Sequence, residues 1–134
     1  MAGVRLTVRI DFGSDRALGP GKVRLLEAIH KTGSISQAGR SLGMSYRRAW
    51  LLVDDLNRCF RQPVVTTQPG GARGGGAALT RFGRELIKKY RSIESQAAAA
   101  AEKQLRDLKI SLRNRRVRVR KRLKTSIRAT APRR

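Results

Sequence analysis

Four consecutive residues, Ser45, Tyr46, Arg47 and Arg48, put a helix-capping hydroxyl directly before an aromatic phenol and two guanidinium groups. A guanidinium is a planar fork of donors that can satisfy two acceptors at once, on a phosphate or on the O6/N7 edge of guanine. A tyrosine beside it stacks on a sugar or donates to a phosphate. Shortly before this stretch, Ser34, Ser36 and Gln37 place small polar side chains at the start of another helical pattern, where hydroxyl and amide donors meet phosphate oxygens. Further on, Arg73 sits in a run from Gly70 to Gly76 that holds five glycines, one alanine and one arginine. That run lacks the Gly-Lys-Ser/Thr ending of a nucleotide-phosphate cradle, so it reads as the open tip of a hairpin with one cation on it.

Charge supports polyanion chemistry over small-molecule chemistry. The 134 residues contain 31 Lys or Arg against nine Asp or Glu, a formal charge of +22. All nine acids lie before residue 109, together with 19 of the basic residues; the last 26 residues carry the other 12 and no acid. Cys59 is the single cysteine and His30 the single histidine, which excludes an intrachain disulfide and a Cys/His metal centre. No acid pair or nucleophile–base spacing converges on one pocket, so no catalytic residue, metal or cofactor is assigned and an enzyme is not expected. No apolar run reaches the roughly 18 to 20 residues needed to span a bilayer, and Arg5 and Arg9 interrupt any signal-peptide core. A cytoplasmic protein with no membrane contact is expected.

The elements that must position these groups follow from periodicity. Val4, Leu6, Val8, Ile10 and Phe12 alternate with Arg5, Thr7, Arg9 and Asp11, which predicts a strand over 4–12. After the breakers of 13–21, Val23, Leu26 and Ile29 recur at helical spacing up to Gly33, with His30 as a cation near the helix end. In 34–60, Ala38 and Leu42 lie one turn apart, and Ala49, Leu52, Val53 and Leu56 form a stripe at i, i+3, i+4, i+7. Gly39 and Gly43 fit the close crossing and the turn of a helix-turn-helix, with Met44 plugging it. Trp50 is expected to be partly buried, and Cys59 to be a small half-buried residue. Val64–Thr67 and Ala77–Thr80 flank the glycine run as a hairpin, and Thr80 is suited to cap the next helix.

That helix, from about 80 to 110, carries Leu86, Tyr90, Ile93 and Ala97, then Leu105 and Leu108 after a one-residue slip. It is too long to pack wholly on so small a domain, so these six residues are expected at a homodimer seam. The resulting organisation is a winged helix DNA-binding domain over 1–80, a long dimerisation helix over 81–110, and a basic, disordered tail over 111–134. The fold class is mainly α with a small β-sheet. The wetted first turn of the second helix of the pair, Ser45 to Arg48, is expected in a DNA major groove, with Arg73 on the wing.

The stretch SISQAGRSLGMSYRRAWLLVDDLN, followed by GGARGGGAALTRFGRELI, resembles the N-terminal DNA-binding domain of the molybdate-responsive, ModE-type transcriptional regulators, which share a LysR-like winged helix. The resemblance covers about residues 4 to 108. It implies that Ser45, Tyr46 and Arg47 contact DNA from the recognition helix and Arg73 from the wing. Family members that sense molybdate carry further oxyanion-binding domains; none follows in this sequence, so molybdate sensing by this chain is not expected. A sequence-specific regulator acting as a homodimer on double-stranded DNA is the reading that results. The alternative is an architectural, nucleoid-type protein in which the basic tail dominates and sequence is hardly read.

Overall fold

Pro20 at the first helical position and Gly33 just past the last set the bounds of α1, Pro20–Thr32, in a computed structural model that describes residues 3–68 and 76–113. Arg73, the tip of the glycine run and the basic tail beyond Arg113 lie outside the described residues. In chain order the elements are β1 (Ile10–Phe12), β2 (Arg16–Leu18), α1, α2 (Ile35–Ser41), α3 (Tyr46–Cys59), β3 (Val65–Gln68), β4 (Gly76–Leu79), α4 (Arg81–Ala100) and α5 (Glu102–Ile110). They divide into two compact units, one spanning residues 6–100 and the other holding residues 3–5 and 101–113.

The expected strand over 4–12 is corrected. Leu6, Val8, Ile10 and Phe12 do turn inward while Thr7, Arg9 and Asp11 stay exposed. Only Ile10–Phe12 is paired, however, antiparallel to Arg16–Leu18 across a turn that Gly13 opens at φ 77°. Alternation records which side chains face the core; a ladder also needs a partner, and the segment before Ile10 has none among the described residues. The second strand of this hairpin falls in a stretch whose glycines and proline read as breakers.

The three helices α1, α2 and α3 enclose the core with Val23, Leu25, Leu26, Ile29, Ala38, Ala49, Val53 and Leu56, all buried. Gly33 takes φ 73° and its N–H returns to the carbonyl of Ile29 at 2.7 Å, a left-handed stop that a side chain would strain. The hairpin of β3 and β4 pairs Val65 with Leu79 and Gln68 with Gly76. It is tied to the α1–α2 turn by a hydrogen bond from the Ala77 N–H to the Gly33 carbonyl, 2.9 Å.

Two residues lock this hairpin to the helices on either side. Asn57 of α3 accepts from the N–H groups of Val64 and Val65 at 2.7 and 3.1 Å and donates to the Val65 carbonyl at 3.0 Å. Gly83 of α4 packs so closely on Val64 that an added methyl would overlap the Val64 carbonyl oxygen. Thr80, as expected, caps α4: its hydroxyl accepts from the Gly83 N–H at 2.9 Å and donates to the Pro63 carbonyl at 2.7 Å. Edge-to-face contacts of Phe12 with Phe60 (5.7 Å) and of Phe60 with Phe82 (5.4 Å) join the β1–β2 hairpin, the end of α3 and the start of α4.

Leu86 and Tyr90, expected at a dimer seam, are instead part of this chain's own core. The Tyr90 hydroxyl donates to the Val8 carbonyl at 2.6 Å, and burial pushes its pKa above the ordinary tyrosine value. Next to it Arg91 forms a two-pronged pair with Glu27 of α1, at 2.8 and 3.0 Å, and also reaches Glu94 at 2.6 Å. The hydrogen bonds to Glu27, then Glu94, hold this guanidinium even more firmly in its charged form. These groups remain partly wetted, so the pairing orients α4 more than it stabilises the fold, by roughly 0.2–1 kcal/mol. The first three turns of α4 thus belong to the domain, because Leu86 and Tyr90 find α1 and the N-terminal segment within reach. Ile93 is exposed and Ala97 half-buried; the helical stretch is divided at Ala101, and α5 has no buried residue.

Gly83→Ala is expected to lower stability by about 1–3 kcal/mol, because the carbonyl it meets belongs to a backbone held by Asn57. Gly21→Ala, at an α1 position with open space around it, is expected to be neutral or slightly stabilising in the same thermal-unfolding comparison. Asn57→Ala is expected to cost about 1–3 kcal/mol by stranding two part-buried N–H groups. Amide exchange at Val64 and Val65 should rise selectively in that variant.

Candidate nucleic-acid interface

Gly39 decides how α3 stands. A Cβ built on it would lie 2.9 Å from the Ala49 Cβ, so only glycine allows α2 to cross α3 this closely. Gly43 then takes φ 73° and lets the Met44 N–H reach the Gly39 carbonyl at 2.9 Å. This turn aims the N-terminal end of α3 away from the core. Ser45 caps it, its hydroxyl accepting from the Arg48 N–H at 3.1 Å. The N–H groups of Tyr46 and Arg47 belong to the first turn, which has no intrahelical acceptors, and the helix dipole adds partial positive charge there.

Opposite the buried stripe of Ala49, Val53 and Leu56, the outer face of α3 carries Arg47, Leu51 and Arg58. Tyr46 and Trp50 stand one turn apart on one flank, and Arg48 stands on the other. Arg48 lines a shallow depression with Arg9, Gly19, Lys22, Met44 and Leu52, a cationic rim beside the start of α1. Neither Arg47 nor Arg48 has an ion pair or side-chain hydrogen bond among the described residues, whereas Arg58 is paired with Asp54 at 3.0 Å. Free guanidinium groups therefore concentrate in the first turn, and the acids of α3 are confined to its second half.

Ser34, Ser36 and Gln37 take the places expected of them at the start of α2, with qualifications that geometry supplies. The Ser34 hydroxyl caps α2 by accepting from the Gln37 N–H at 3.1 Å. Ser36 accepts from Arg40 at 3.3 Å, and the Gln37 side chain is exposed and makes no hydrogen bond among the described residues. Ser34 and Ser45 keep their hydroxyl protons available for an anion while their lone pairs serve the helix ends. Arg73 lies outside the described residues. Trp50 agrees with the expected partial burial: it is 41% exposed, from a place on the helix between the core stripe and the outer face. Asn57 and Gly83 hold the site without touching its surface and were missed; an asparagine inside a helix and a glycine in its first turn are the signals that could have pointed to them. Among the described residues there is no group of three or more His, Cys, Asp or Glu able to hold a metal ion, and no helix long and apolar enough to cross a membrane.

No family model matches the chain. Among curated proteins it is 35% identical over 105 residues to the molybdenum transport protein ModE of Azotobacter vinelandii, covering 77% of this chain and 39% of that protein. It is 49% identical over 81 residues to the molybdenum-pterin-binding protein MopB of Rhodobacter capsulatus, covering 60% and 30% respectively. With the DNA-binding transcriptional dual regulator ModE of Escherichia coli K12 it shares 41% over 71 residues, 53% of this chain and 27% of that one. The CbnR_DBD–DNA complex superposes on 63% of the chain, covering 91% of the solved one, with a TM-score of 0.49 and 17% identity. The chain thus matches well under half the length of these curated relatives. Over its N-terminal part it is 36 to 44% identical to ModE transcriptional regulators.

Proposed function

We propose that this chain is a sequence-specific, DNA-binding transcriptional regulator that acts as a homodimer. The observation that carries the reading is the capped, outward-aimed first turn of α3, with Arg47 and Arg48 unpaired among the described residues. A turn of this kind offers N–H groups and partial positive charge to phosphate, while its first side chains reach base edges in a major groove. Homology to ModE transcriptional regulators over the same residues supports the assignment.

Within that reading the roles divide by position. Arg47, on the outer ridge, takes the bidentate acceptors of a guanine; Arg48, turned toward Arg9 and Lys22, takes phosphate with them. Ser34, Ser36 and Gln37 hold the opposite strand's backbone. The wing, with Arg73, lies on the backbone or in the minor groove. A second copy supplies the other half-site, and exposed Ile93 with Ala97 on α4, and Leu105 with exposed Leu108 on α5, are the seam residues. Half-sites then repeat at about one helical turn, roughly 34 Å, or a multiple of it. The proposal is confined to DNA; the molybdenum in the relatives' names belongs to proteins of which this chain matches 30 to 39%.

One observation favours a second reading, an architectural protein with little sequence readout: twelve basic residues and no acid after residue 108. Such a tail adds affinity for any duplex at modest salt.

Selection of bound duplexes from a random pool at physiological salt separates the two. An approximate palindrome with turn-spaced halves is expected; an unenriched pool would support the architectural reading. On the selected site, Arg47→Ala is expected to cost about 1–3 kcal/mol and to relax preference at one guanine per half-site. An equal loss on every sequence would make Arg47 a phosphate contact.

A further inference from the structure

Among the described residues of the compact unit 6–100, four large apolar side chains are exposed: Tyr46, Trp50 and Leu51 on α3, at 57, 41 and 50% exposure, and Ile93 on α4, already assigned to the proposed seam. Three of these four stand on neighbouring positions of one helix in a strongly cationic domain, and a gathered apolar patch marks an interaction surface. Tyr46 and Trp50 lie one turn apart, as do Arg47 and Leu51, so the patch adjoins the guanidinium assigned to a guanine edge. Whatever Arg47 meets, Leu51 and Trp50 meet its neighbourhood.

In a major groove the edges of base pairs are donors and acceptors with a single apolar exception, the C5-methyl group of thymine. Resting on the proposal that α3 enters that groove, the geometry points to Trp50 and Leu51 as thymine-reading residues, contacting C5-methyl groups beside the guanine taken by Arg47. Tyr46, at the very start of the helix and one turn before Trp50, offers its phenol to the sugar–phosphate edge. The patch therefore gives the half-site a preference for thymine next to guanine. No hydrogen bond to a base is needed for it.

Replacing thymine by deoxyuridine removes the methyl group and leaves every donor and acceptor of the base pair in place. Each thymine of the selected half-site is exchanged in turn and affinity measured with the full chain. At one or two positions the exchange is expected to weaken binding about fourfold, the value of one buried methylene-sized group. Trp50→Ala and Leu51→Ala, at exposed positions that leave the fold intact, are expected to bind the thymine duplex more weakly and to lose the deoxyuridine penalty at those positions. Arg47→Ala should keep that penalty. The inference is overturned if selective binding persists and no exchange matters, or if both variants retain the full penalty. It is also overturned if both variants keep full DNA affinity, which would assign the patch to a different occupant. Absence of any sequence-selective binding would remove the groove reading itself and this inference with it.

Discussion

The crossing of α2 over α3 at Gly39 and Ala49 is the constraint on which the rest of the molecule depends. With the Cβ of Ala49 occupying the space a side chain at Gly39 would need, the two helices can come this close only because Gly39 has none. Their separation fixes the turn through Gly43, and the turn fixes where the first residues of α3 emerge. Everything proposed for Ser45 to Leu51 follows from that emergence. A larger residue at either position would rotate the cationic turn, and the guanidinium groups would then point at no common ligand.

The remaining structure keeps α3 still. Asn57 satisfies three backbone groups around Val64 and Val65, so the C-terminal half of α3 and the start of the wing move as one piece. Gly83 lets α4 close on the same segment, and Glu27 with Arg91 joins α4 to α1. Charge is arranged with comparable economy: Asp54 and Asp55 sit in the second half of α3, where Arg58 meets the first of them. The first half keeps its cations unneutralised, so their positive charge adds to that of the helix end, which already favours an anion.

Much of this was legible in the residues because the relevant signals are local. Gly33, Gly39 and Gly43 stand where a stop, a crossing and a turn require them, and the stripe from Ala49 to Leu56 identifies the buried face of α3. Thr80 as a cap is equally local. Two readings failed where the outcome depends on what lies across space. The alternation over 4–12 reports a half-buried segment, yet pairing was limited to Ile10–Phe12 by the short hairpin with Arg16–Leu18. Leu86 and Tyr90 continue the periodicity of a seam, but Tyr90 finds the Val8 carbonyl, far away in sequence, and is buried within its own chain. Asn57 and Gly83 meet backbone groups of the Val64 segment that lie apart in sequence, so hydrophobic periodicity does not mark them, although an asparagine and a glycine inside helices are themselves unusual.

The central claim is that the first turn of α3 occupies a major groove. Dimethyl sulfate reports this directly, since it methylates guanine at N7 in the major groove and adenine at N3 in the minor groove. On a duplex recovered by selection, bound protein should shield guanine N7 in two patches about one helical turn apart. Unshielded guanines at the selected positions, with protection confined to adenine N3, would contradict the account.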